Sequence, residues 1–261
     1  VNASASATAS QRRARPLPAT VQVGLVAGLL AIAAACWVLT GHRMDGMDAG
    51  PGTALGGLGW FLVSWAVMMA AMMLPATAPM AVAHARVRPH AWGRETLTFA
   101  AGYLLAWSAA GLVAYALTEV VRSLHLGFLG WDEAGRYVAG GAILAAALFQ
   151  LTSVKDACLR RCRDPQAARN GLEHGAHCIA CCWALMAALF ALGVMSIAWM
   201  AVVAALIAAE RLLPSKLMAR HAVAVVLAVL GLGVALAPGQ VPGLTLPDAQ
   251  DDAGMTMTMQ Q

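Results

Sequence analysis

The chain has 261 residues, 60% of them hydrophobic and 11% charged, with a formal net charge of +4. Soluble domains carry about 25% charged residues, so this chain, with a mean hydropathy of +0.69, lacks the polar side chains to cover a water-soluble globule. Its basic residues sit between apolar runs and not in a patch, which excludes nucleic acid as a partner. The expected fold is all-α: a polytopic transmembrane helical bundle of about seven spans, with the lipid bilayer as its surroundings. One membrane domain is expected over residues 21–238, preceded by a disordered basic tail (1–20) and followed by an extramembrane, Met-containing tail (239–261).

The N-terminal segment is rich in Ala, Ser and Thr and carries Arg12, Arg13 and Arg15 before Pro16 and Pro18. The apolar run Val21 to Thr40 is about 20 residues, long enough to span, and reads as an uncleaved first helix. A secretory signal peptide is the competing reading of the same pattern. Cys36 follows three alanines, but reads as a small packing residue. A Gly-rich loop with His42, Met44, Asp45, Met47 and Asp48 comes next. The second span, Trp60 to about Ala83, contains WAVMMAAMMLPATAPM. Pro75 cannot donate to the Ala71 carbonyl, so a bend and local fraying are expected there. The third span runs from about Leu97 to Val121 and the fourth from about Ala134 to Val154.

Residues 176–209 are nearly free of charge. One helix of that length would be about 51 Å long, against a hydrocarbon core of about 30 Å. Two spans joined near Gly193–Ser196 fit better, and a last span covers about Ala222 to Ala237. With the N-terminus inside, fourteen of the seventeen Lys and Arg residues fall on the cytoplasmic side, as the positive-inside rule requires. The expected location is a bacterial inner membrane, with the C-terminal tail in the periplasm.

The stretch Lys155 to Met186 holds five of the six cysteines. Cys158 and Cys162 share a helix face four residues apart, and Asp164-Pro165 ends that helix. His174, His177, Cys178, Cys181 and Cys182 fall at intervals of 0, 3, 4, 7 and 8, a single helical stripe that Met186 extends. Thiolates at this density select Cu(I), zinc or an iron–sulfur cluster. The haem-attachment pattern C-x-x-C-H is absent. On the second span Met68 and Met72, like Met69 and Met73, are i,i+4 pairs; they read as packing, or as a lining for a soft ion. In the tail, Met255, Met257 and Met259 share one face of an extended chain. Thioethers favour Cu(I), which tilts the expected metal toward copper. Glu173 reads as a helix N-terminal charge or as a carboxylate that orients the neighbouring His174 imidazole, and Glu210-Arg211 as an anchor at a helix end. No phosphate-binding loop, nucleophile elbow or catalytic carboxylate pair is present, so an enzyme is not expected.

The blocks MMAAMMLPATAPM and KDACLRRCR…GLEHGAHCIACCWALM…GVMSIAWM…ER resemble the bacterial family described as predicted metal-binding integral membrane proteins, a domain of unknown function. The resemblance runs from about Trp60 to Arg220. It implies an inner-membrane protein with a metal site and no established activity, with the family pattern on Cys158, Cys162, His174, Cys178, Cys181 and Cys182. The family usually has Gly and an aromatic residue where this chain has Ala180 and His177. The resulting expectation is copper(I) binding, transfer or transport, with a periplasmic copper chaperone or a membrane assembly as partner. The alternatives are a membrane thiol–disulfide oxidoreductase and a zinc-clipped structural protein.

Overall fold

The computed structural model describes residues 17–44, 56–86, 89–123, 135–165, 167–192, 196–213 and 216–241, and these form eight α-helices and no strand. They are α1 (Ala19–Met44), α2 (Leu58–Ala85), α3 (Trp92–Ser123), α4 (Arg136–Gln150), α5 (Ser153–Arg163), α6 (Gly171–Leu192), α7 (Ile197–Leu212) and α8 (Lys216–Leu236). The residues before 17 and after 241, with Met47, Met255, Met257 and Met259, lie outside the described set, as does most of the loop after α1. The charge-poor tract is divided, as expected, into α6 and α7.

Among the described residues, five helices are long and apolar enough to cross a membrane: α1, α2, α3, α6 and α8. The fourth apolar run does not stay straight. It breaks after Gln150, and α4 and α5 meet at 69°, so that the pair makes at most one further, broken span. Thr152 makes the break. Its backbone is extended, and its hydroxyl accepts from the N–H of Lys155 at 3.2 Å, capping α5. At 16 residues, α7 is about 24 Å long and falls short of the same length criterion.

α2 is the central element, buried over much of its length and packed against α1, α3 and α7. Its helix continues through Pro75 and Pro79 to Ala85, so the fraying expected at Pro75 does not occur. Trp65 of α2 donates its indole N–H to the Trp107 carbonyl of α3 at 2.8 Å. α4 pairs chiefly with α8, where Gly140 and Gly231 leave the two backbones in contact. Large apolar side chains face outward, among them Leu97 at 70% and Leu236 at 75% exposure. Outward apolar surface of this kind suits a hydrocarbon solvent.

Arg86, at the end of α2, donates to the Gln22 amide oxygen near the start of α1. These two residues border one groove with Pro165 and Leu212, which follow α5 and end α7. The start of α1 and the ends of α2, α5 and α7 therefore lie together. Arg43 reaches Ser64 at the far ends of the same two helices.

Candidate functional site

The site is built where α3, α5, α6 and α7 meet, and each helix is brought there for a local reason. α6 begins with a cap: Asn170 accepts the Glu173 N–H at 2.9 Å, and Glu173 accepts the Arg169 N–H at 2.8 Å. Glu173 is thus used at the helix start, as expected. One turn on, α6 lies against α3 with no space for side chains. A Cβ at Gly171 would stand 1.7 Å from the Phe99 carbonyl oxygen, and one at Gly175 would stand 2.5 Å from the Ala106 Cβ. Small residues permit this approach, and it presents Cys178 to α3. There Tyr103, fully buried, places its hydroxyl 3.0 Å from the Cys178 sulfur.

The predicted stripe on α6 points inward. His174, Cys178, Cys181, Cys182 and Met186 are buried, and His177 is half-buried. The sulfurs of Cys181 and Cys182 are 3.4 Å apart. Because α5 turns back sharply at Thr152, Cys162 joins this group, in contact with Cys178 and Cys181. Cys158, one turn earlier, is half-buried at the edge of the same core. His174 lies between the rings of Phe99 and Tyr103, at 5.5 and 5.7 Å. Its Nε2 and the Nδ1 of His177 are buried with no hydrogen-bond partner. Ala180 is exposed, so its methyl group does not sit between helices.

Two residues read from sequence as an interfacial anchor are in fact part of this centre. Glu210 is buried, and its Oε2 accepts from the Lys155 ammonium at 2.7 Å. Lys155 donates also to the Cys181 carbonyl at 2.7 Å, so one ammonium ties α5, α6 and α7 together. Arg211 turns its guanidinium into the cysteines. Nη2 lies 2.7 Å from the Cys178 sulfur, 3.5 Å from Cys181 and 3.4 Å from Cys182. A partly buried guanidinium needs acceptors or negative charge, and these three sulfurs supply them. Among the described residues no three His, Cys, Asp or Glu side chains are grouped in the geometry of a metal site. The sulfurs are arrayed around a guanidinium instead.

The methionines of α2 have different company. Met68, Met69, Met72 and Met73 are buried in the apolar core that also contains the cysteines. Among the described residues no hydrogen-bond donor is placed on their sulfurs. Sequence reasoning missed Tyr103, Lys155, Glu210 and Arg211. For three of them a signal existed: Lys155 and Glu210-Arg211 are charges flush against apolar runs, where an unpaired charge is too costly to leave. Tyr103 carried no such signal.

An apolar helical bundle with a buried group of thiols and a fixed cation defines the class: a helical protein suited to membranes and to soft-metal or thiol chemistry. A family model described as PpoB2, copper chaperone, matches residues 62–234. The match spans more than half of the chain and all of the centre, so the protein belongs to the PpoB2 copper chaperone family. No curated protein and no solved structure matches it.

Proposed function

We propose that this protein is an integral membrane copper(I)-binding protein that takes the ion on the thiolates of Cys162, Cys178, Cys181 and Cys182 and passes it on. The observation that carries this reading is the convergence of four thiols from α5 and α6 in a chain of a copper chaperone family. Thiolates are the soft ligands that Cu(I) prefers over the harder divalent ions. The unpartnered nitrogens of His174 and His177, with Cys158 at the rim, supply further donors about a turn away. Copper is the cargo here, and no enzymatic step is assigned.

The same reading sets the protein in a bacterial inner membrane, with its basic end and the thiol centre on the cytoplasmic side. In it, α4 and α7 act as short spans and complete a seven-span topology. The tail methionines Met255, Met257 and Met259 then stand on the periplasmic side, where they meet a copper chaperone or a membrane assembly. Full-length protein purified in detergent, without a histidine tag and under reducing conditions, is expected to bind about one Cu(I) per chain. Bound copper that is unchanged in the C162S/C178S/C181S variant would refute the assignment.

The 3.4 Å approach of the Cys181 and Cys182 sulfurs favours one second reading, a dithiol that cycles with an oxidant. Loss of two titratable thiols on exposure to a quinone, in protein that binds no copper, would establish that reading in place of the first.

A further inference from the structure

Arg211 lies against three of the sulfurs that a copper ion would use. A thiolate–metal bond is about 2.3 Å long. An ion bonded to Cys178 and to either Cys181 or Cys182 on the side that Arg211 faces would overlap the guanidinium, whose Nη2 is 2.7 Å from the first sulfur and 3.4 to 3.5 Å from the other two. Guanidinium and ion compete for that face of the three sulfurs. The guanidinium is also free of a carboxylate commitment to its neighbour, since Glu210 is engaged by Lys155. Nothing among the described residues accepts from its Nε, which is closed off from solvent. Arg211 is in the last turn of α7, which ends at Leu212 before an extended Leu213; its guanidinium is enclosed, while the residue as a whole is half-buried. It can thus withdraw toward the end of the bundle on its own flexible stem.

We infer that Arg211 is an internal competitor for the metal: it holds the thiols together as a surrogate cation, leaves when Cu(I) arrives, and returns to displace Cu(I) at delivery. This rests on the reading of the thiol centre as a copper(I) site. No electron moves, because the ion enters and leaves as Cu(I). Each thiol that becomes a ligand gives its proton to solvent, and each regains one on release. The guanidinium keeps its charge throughout and exchanges sulfur acceptors for water. A surrogate of this kind lowers equilibrium affinity and opens a direct route for exchange, which suits a protein that must give its cargo up. A guanidinium that merely neutralised the thiolates of a bound ion would do the opposite, and its removal would weaken binding.

The test compares full-length wild type and R211Q in detergent, reduced and without oxygen, with a chromogenic Cu(I) chelator as competitor and acceptor. The variant is expected to bind Cu(I) tighter by about ten- to a hundredfold, the range that one charge-assisted hydrogen bond represents. It should also surrender Cu(I) to the chelator more slowly by a comparable factor. R211K keeps the charge but withdraws the planar fork. It is expected to shift both readouts the same way by about threefold, and it stands in if R211Q does not fold. Equal or weaker affinity in the folded variant overturns the inference and leaves the copper assignment intact. Absence of Cu(I) binding by the wild type overturns both.

Discussion

Two groups of buried sulfur lie in one continuous core, and they differ in company. On α2, Met68, Met69, Met72 and Met73 are packed among apolar side chains with no donor on their sulfurs among the described residues. On α6, Cys178, Cys181 and Cys182 are as deeply buried, yet a phenol, a guanidinium and a neighbouring ammonium–carboxylate pair surround them. Burial alone does not separate a packing sulfur from one poised to bind. Buried polar and ionic partners do, because each is costly in apolar surroundings and persists only where something offsets it. A methionine core makes no such demand.

The sharpest way to break this contrast is to dismantle the ionic support of the cysteine group. In K155M the buried Glu210 carboxylate loses its partner, and removing one member of a buried pair costs about 3–5 kcal/mol. A thermal or denaturant scan in detergent should show that loss, and K155M/E210M should recover most of it. A K155M variant as stable as wild type would mean that α5, α6 and α7 are held together by packing alone.

A smaller effect is expected from prising α3 and α6 apart. A methyl group at Gly171 meets the Phe99 carbonyl, and overpacking of this kind costs about 1–3 kcal/mol. G171A should also pull Cys178 from Tyr103 and lower the Cu(I) bound per chain. If copper binding is retained in full while stability falls, the Tyr103 contact contributes nothing to the centre.

The least effect is expected on the methionine side. M68L/M72L conserves volume, so each swap should cost less than about 1.5 kcal/mol, and copper stoichiometry should not change. A fall in bound copper would move these thioethers from the packing group to the binding group.

Much of the fold was legible in order along the chain. The apolar runs became α1, α2, α3, α6 and α8, and the uncharged tract of residues 176–209 divided as its length required. The stripe from His174 to Met186 does face inward, because a helical period and the sidedness of the core are both set by neighbours three and four residues away. The fourth apolar run, expected as a span to about Val154, breaks after Gln150. Its hydropathy runs on past Gln150, but the hydroxyl of Thr152 caps a new helix, and a 69° turn replaces a straight segment. That turn, and not the Cys158–Cys162 spacing, decides that Cys162 enters the centre and Cys158 stays at its edge.

The sequence by itself determined which segments are helical and which face of α6 carries sulfur and nitrogen. These properties follow from composition and short-range period. Only the tertiary structure decided what stands opposite the sulfurs. Tyr103, Cys162 and Arg211 come from three other helices, and Lys155 finds Glu210 across 55 residues of chain. Their meeting depends on a capped break, on glycines that let two backbones touch, and on the balance of one buried charge against another. Of these only the cap is local; the glycine contacts and the charge pairing join residues far apart in the chain.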